Sequence, residues 1–256
     1  MKMPVLFVEH GSPMNIIADN HYTRSLRELG KTLPRPEAVL VVSAHWQTRQ
    51  TFITCAETPP TIYDFYGFPK KLYQERYECP GAPEKATMVQ EITQQIVRGD
   101  DRRGLDHAAW AVLIHMYPEA DVPVMEMSLD VEMSPAEHYE LGKKLAPLRD
   151  AGILIMGSGN MVHNLAQANF GQMEGGEYDW AVHFDRLTEE LLLHREHQSL
   201  IEYEKLPDAS RAVPTNEHYL PMLYSIALQE KQETLRFFCK DIQNSSIAMR
   251  GFVIGG

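Results

Sequence analysis

Short apolar runs recur along this chain with room for one helix between them, and this alternation constrains the fold more than any other feature. VLFV at Val5–Val8, AVLVVS at Ala38–Ser43, VPVMEMSL at Val122–Leu129 and ILIM at Ile153–Met156 read as buried strands. Thr51–Thr54, Leu235–Phe238 and Ala248–Ile254 read as further strands. Helical spacing occupies Tyr22–Lys31, Pro83–Arg98, Trp110–Tyr117, Pro135–Asp150, Trp180–His197 and Asn216–Leu228. Pro83 sits near a helix start, where a missing N–H does no harm, and Ser134 suits an N-cap. Apolar strands separated by helices imply an α/β sheet covered on both faces. No low-complexity tract, long linker or repeat interrupts the chain, so one domain over residues 1–256 is expected. Sheets of this class bind ligands at the carboxyl ends of their strands.

Charge and composition remove several function classes. Lys plus Arg is 24 against 35 Asp plus Glu, a net charge of −11, so no surface for neutralising nucleic-acid phosphates is expected. The three Cys (Cys55, Cys79, Cys239) are far apart and form no CxxC, which disfavours a disulfide framework and a Cys-type zinc site. Eleven His stand against them, so a bound metal would be held by imidazole. The start MKMPVLFVEHGSP is too short in apolar residues for a signal peptide, and no run approaches the roughly 18–20 residues of a membrane helix. A cytoplasmic protein without membrane partners is expected, and a monomer is slightly favoured, the oligomeric state being otherwise open.

Three His follow apolar strands: His10 after VLFVE, His45 after AVLVVSA and His163 shortly after ILIMGSGN. They would gather at one sheet edge if those strands run parallel. His218 in EHYLP and His107 in LDHAAW could join them through loops or helix ends. Spacings of 35, 118 and 55 residues match no local zinc pattern, and a lone His after a strand is ordinarily a hydrogen-bonded loop residue. The surroundings add weight. Gly11-Ser12-Pro13 and the turn expected at Gly157-Ser158-Gly159-Asn160 are small enough for backbone to approach a bound species. The aromatic loop Thr58–Pro69 suits the wall of a small-molecule pocket. His115 reads as core. His21, His138, His183, His194 and His197 read as surface, the thirteen Met as core filler, and Cys55 and Cys79 as inert. Gly157-Ser158-Gly159 does not complete the dinucleotide pattern GxGxxG.

Several long segments together resemble a known family. They are HGSPMN at His10–Asn15, LPRPEAVLVVSAHW at Leu33–Trp46, ETPPTIYDFYGFP at Glu57–Pro69 and LDHAAWAVLIHMYPEADVPV at Leu105–Val124. GSGNMVHN at Gly157–Asn164 and PTNEHYLPMLY at Pro214–Tyr224 complete the set. In this order they resemble the LigB-type class III extradiol ring-cleavage dioxygenases, in the DOPA 4,5-extradiol dioxygenase branch.

The resemblance implies a mostly parallel mixed sheet flanked by helices, with a metal pocket at one edge. It implies that His10, His45 and His218 bind the metal. His163 would be an acid/base residue that in this branch could also reach the metal, and His107 a second acid/base or substrate-binding His. One divalent metal per chain, a small catecholic substrate and O2 are the implied partners. The implied reaction opens the ring outside the two hydroxyls, as in 4,5-cleavage of L-DOPA. Family sites usually combine two His with one carboxylate, and here Glu9 and Glu217 stand beside His10 and His218. An all-His set suits zinc, so zinc is expected in purified protein and Fe(II) for oxygen chemistry. Two alternatives stay open: a zinc-dependent hydrolase using the same pocket, and a non-enzymatic member of the fold. Arg24, Arg49, Lys70 and Arg211 are candidates for binding a substrate carboxylate.

Overall fold

A computed structural model describes residues 2–256. Its strands are β1 (Val5–Glu9), β2 (Ala38–Thr48), β3 (Thr51–Thr54), β4 (Val97–Asp100), β5 (Val124–Asp130), β6 (Ile153–Gly159), β7 (Leu235–Phe237), β8 (Asp241–Gln243), β9 (Ile247–Met249) and β10 (Phe252–Ile254). The helices are α1 (His21–Thr32), α2 (Pro83–Ile92), α3 (His107–Met116), α4 (Pro135–Lys144), α5 (Pro147–Asp150), α6 (Asp179–Leu193), α7 (His197–Ile201), α8 (Ala209–Ala212) and α9 (Leu220–Ala227). Eight strands form one sheet in the order β4-β3-β5-β2-β6-β1-β10-β7, and β8 pairs with β9 in a separate ribbon. The centre, β5-β2-β6-β1, is parallel, whereas β10 and β7 close one side antiparallel. The fold is therefore the expected single α/β domain with a mostly parallel mixed sheet.

Period-two alternation sends successive side chains to opposite faces. Val5, Phe7, Leu40, Val42, Ile153 and Ile155 pack with α2, α4, α6 and α9. Leu6, Val8, Val39, Val41, Leu154 and Met156 pack with α1 and α3. Each such fully buried aliphatic side chain contributes about 1.5–3 kcal/mol. Pairing of Val8 with Ser158, and of Ser43 with the same Ser158, brings the ends of β1, β2 and β6 level. That register sets the place of the site.

Several expected elements are divided or extended. The segment Pro83–Arg98 is helical only to Ile92; Gln94 and Gln95 adopt left-handed φ, and the chain turns into β4. In β4 only Val97 is fully buried, so this edge strand carries little apolar pattern. Pro147 lacks an N–H donor and divides Pro135–Asp150 into α4 and α5. The helix expected over Trp180–His197 stops at Leu193, and α7 begins at His197. Asn216–Tyr219 is turn, and α9 starts at Leu220 with Pro221 tolerated in its first turn. Ala248–Ile254 is two strands, because Arg250 and Gly251 carry the chain from the ribbon into the main sheet. His138 is buried against the Tyr224 hydroxyl at 2.9 Å, not on the surface as expected, and His197 is half-buried between Tyr139 and Gln229.

Candidate metal centre

Five of the eleven His meet at the carboxyl ends of β1, β2 and β6. His10 follows β1 directly. His45 lies inside β2, not beyond it, where the register with β5 shifts between Val42 and Gln47. His107 is the first residue of α3. His163 follows β6 after a short loop, and His218 lies in the turn before α9. The segment Gly157–Gly159 is strand, not the expected turn. Its glycines serve a different close approach. A Cβ on Gly159 would overlap the His218 carbonyl oxygen, and one on Gly157 would overlap that of Pro221. Asn160 then donates its N–H to the His218 carbonyl at 2.8 Å, which locks the His218 turn onto the end of β6.

The Nε2 atoms of His10 and His45 are 3.1 Å apart, and those of His45 and His218 are 3.2 Å apart. Hydrogen bonds on the far side of three rings assign their tautomers. The Ser158 hydroxyl donates to the Ala108 carbonyl at 2.6 Å, so its oxygen receives Nδ1–H of His10 at 3.1 Å. The Glu217 carboxylate accepts Nδ1–H of His218 at 3.0 Å. Asp64 Oδ2 lies 3.2 Å from Nδ1 of His45 and 2.8 Å from Nδ1 of His107. His10, His107 and His218 therefore turn Nε2 away from these partners, and His45 Nδ1 lies in charge-pair contact with Asp64. Burial, followed by repulsion from neighbouring imidazoles, holds His10 and His218 well below the usual range. Burial likewise lowers His45 to about 4. At neutral pH the three rings are thus neutral, and the facing nitrogens of His10 and His218 carry lone pairs open to a cation. A tetrahedral ion with metal–nitrogen bonds of about 2.0–2.1 Å sets its ligands roughly 3.3 Å apart, close to the separations here. The donor set fits one divalent metal, and the carboxylate and hydroxyl partners behind it are the orienting shell such sites use.

His163 stands differently. Its ring is stacked on His218 at 3.5 Å between centroids and 13° between planes. A metal lies near the plane of the imidazole that binds it, and one ion cannot lie in two parallel planes so far apart. Burial lowers His163, so it enters as a neutral ring able to accept a proton. Donor atoms of His10, His45 and His107, and separately of His163, Glu217 and His218, lie within 4.8 Å of one another; the His45–His218 contact joins the two groups.

Neither candidate carboxylate ligand faces the three nitrogens. Glu9 points to the opposite sheet face, as alternation requires, and accepts the backbone N–H groups of Met161 and Arg250. Glu217 is occupied with His218. Asp64 was not singled out from sequence, although an acidic residue within the aromatic run YDFYGFP was a usable signal. Its loop packs on α3 through Phe65 against His107 and Trp110, and Trp110 Nε1–H donates to the Ile62 carbonyl at 2.9 Å. The aromatic loop thus carries Asp64 into the site. Beneath it, Ser43 links β2 to α3: it accepts the His45 N–H at 3.0 Å and donates to Asp106, the N-cap of α3, at 2.9 Å.

His115 is buried and lies 2.8 Å from the Asn15 carbonyl, apart from the site, and His21 and His183 are exposed beside Asp241 and Asp208. Burial pushes the Cys79 thiol up to about 12. Among the carboxylate-binding candidates, Arg24 pairs with Asp19 and Arg49 with Glu132. Arg211 lies over Trp180 and donates to Gln167. Its own carbonyl accepts from Asn164, and the next carbonyl, of Ala212, accepts the His163 N–H. Among the described residues, no helix is long and apolar enough to cross a membrane.

Residues 3–248 match the family described as the catalytic LigB subunit of aromatic ring-opening dioxygenase. The chain is 44% identical over 259 residues to an Escherichia coli protein named 4,5-DOPA dioxygenase extradiol, covering 99% of this chain and 95% of that one. A Beta vulgaris protein of the same name is 39% identical over 224 residues, covering 84% and 83%. An uncharacterised Escherichia coli K12 protein of known crystal structure superposes with a TM-score of 0.86 at 40% identity, covering 99% of this chain and all of that one.

Proposed function

This chain belongs to the LigB family of aromatic ring-opening dioxygenases, and from that premise we propose that it opens the ring of a catechol such as L-DOPA by 4,5-extradiol cleavage with O2. Extradiol ring cleavage is the activity of the family, a catechol and O2 are its reactants, and one metal is its cofactor. The finer reading, L-DOPA with Fe(II), rests on the names of the similar proteins and on the convergence of three neutral imidazoles through their Nε2 atoms. His10, His45 and His218 are proposed to hold the ion. Bound there, Fe(II) would supply the redox chemistry that lets O2 react with the diol.

The chain's own groups handle protons and orientation. His163 is proposed as the base that takes a proton from a catechol hydroxyl. Its stacking on His218 supports this, since the ring is held beside the ion without needing to bind it. His107, its Nδ1–H held by Asp64, presents Nε2 as the second acid/base group. Ser158 and Glu217 keep the His10 and His218 rings in the metal-binding tautomer. The predicted product is a muconic semialdehyde.

The all-nitrogen donor set also suits zinc, which favours zinc in the protein as purified and keeps a zinc-dependent hydrolase as the second reading. Anaerobic loading of apo-protein with Fe(II), addition of L-DOPA or a catechol panel, and admission of air separates the readings. A yellow product with oxygen uptake is expected. No uptake with any catechol would overturn the proposal.

A further inference from the structure

A second set of metal-binding side chains lies away from the histidine centre. His21 begins α1, Asp241 begins β8, and Cys239 lies in the connection from β7 to β8. One donor atom from each, a ring nitrogen, a carboxylate oxygen and Sγ, falls within 4.8 Å of the others. His21 Nδ1 is 2.8 Å from Asp241 Oδ2. Cys239 is only 2% exposed.

The surroundings favour a cation. His21 and Asp241 border a cleft of about 600 Å³ that is also lined by Glu174 and Glu177. Five carboxylates line this cleft against Arg186, Lys240 and Arg250, and Lys240 and Arg250 are paired with Glu189 and Asp185. Thiolate, carboxylate and neutral imidazole together balance a divalent charge, and the helix N-terminus at His21 favours the two anionic ligands. The mixed sulfur, nitrogen and oxygen set selects a thiophilic divalent ion over calcium or magnesium.

We propose that His21, Cys239 and Asp241 form a second metal site, for a divalent ion of the zinc class, distinct from the five-histidine centre. It braces the β8–β9 ribbon against α1. The ribbon reaches the segment after His10 through Asn15, whose side-chain amide donates to Gln243 at 3.1 Å, so the role of the ion is structural. This inference rests on no part of the ring-opening reading.

Sulfur chemistry separates the two sites, because the histidine centre contains no thiol. Chelator-stripped full-length protein is titrated anaerobically with Co(II), and the near-ultraviolet sulfur-to-cobalt charge-transfer band is followed with bound-metal content. Two ions per chain and a thiolate band are expected. Cys239→Ser and, separately, His21→Ala should lower the content to one ion and remove the band, whereas His45→Ala should keep the band. His21 is exposed, so its variant tests the site without disturbing the core. A wild-type protein with no thiolate band, or a band that survives Cys239→Ser, overturns the proposal.

Discussion

A single carboxylate oxygen, Oδ2 of Asp64, lies 2.8 Å from Nδ1 of His107 and 3.2 Å from Nδ1 of His45, so one loop residue contacts two site imidazoles on their Nδ1 edges. Asp64 Oδ1 also accepts the His107 backbone N–H at 3.0 Å. Burial by itself would raise this carboxyl, but hydrogen bonds from the ring and backbone N–H groups of His107 help to hold it down to about 2. Asp64→Asn can offer only one acceptor oxygen and adds a donor. We expect metal affinity to fall about 10–100-fold, the range for lost orienting partners, and kcat to fall with it. Metal titration read beside turnover checks this; unchanged affinity would remove the orienting role.

Ligands and the proposed base should separate by variant. His10→Ala, His45→Ala and His218→Ala are each expected to lose bound metal and turnover together. His163→Ala should keep its metal, because the stacked ring is not in the ion's coordination plane, while kcat falls about 10²–10⁴-fold. Metal analysis of the four purified variants makes the test. Full ring-opening activity in metal-loaded His163→Ala would end the base assignment.

Gly159→Ala introduces a Cβ where the His218 carbonyl oxygen already lies. The turn must move by a sizeable fraction of an ångström, and overpacking of this kind costs about 1–3 kcal/mol. A lower Tm and weakened metal binding are expected together, since the displaced residue is a proposed ligand. Thermal denaturation with and without metal would show both effects.

His138 makes a pH prediction clear of the site. Burial lowers it from 6.5 to about 4 beside Tyr224. Below pH 6.5 the unfolded chain takes up a proton that the folded chain refuses. The contribution is therefore complete above about 6.5 and is lost as pH falls toward 4, to a total of roughly 3 kcal/mol. His138→Gln should be less stable at neutral pH, yet lose less of its stability between pH 7 and pH 4.5. Denaturant titrations of both proteins at the two pH values give the difference; parallel losses would contradict it.

Arg211 is the substrate-carboxylate candidate whose backbone is tied to the His163 segment. Arg211→Gln should raise KM for a carboxylate-bearing catechol about 10-fold, the order expected for one charge-assisted hydrogen bond, and leave a catechol without a carboxylate unaffected. Equal effects on both substrates would assign Arg211 to loop packing through Trp180 and Gln167 instead.

Much of this was legible along the chain. Runs such as Ala38–Ser43 and Ile153–Met156 announced central parallel strands, since a strand covered on both faces must be apolar throughout. Strand-end histidines followed, because parallel strands deliver their carboxyl ends to one edge. Edge strands β4 and β8 escaped notice, having too few buried positions to show a pattern. His138 looked like a surface residue because its neighbours on α4 are polar and its partner, Tyr224, is 86 residues away.

Residue types and spacing brought five histidines forward without dividing them by role; only the resemblance to a family gave His10, His45 and His218 to the metal and His163 and His107 to proton transfer. Whether an imidazole turns Nε2 toward an ion, shares a carboxylate or stacks on a neighbour depends on hydrogen bonds and ring planes. Those arise only when Asp64, Ser158 and Glu217 arrive from separate segments and meet the rings. Periodicity along a chain reports which face a side chain is on; it carries no information about which nitrogen bears the proton.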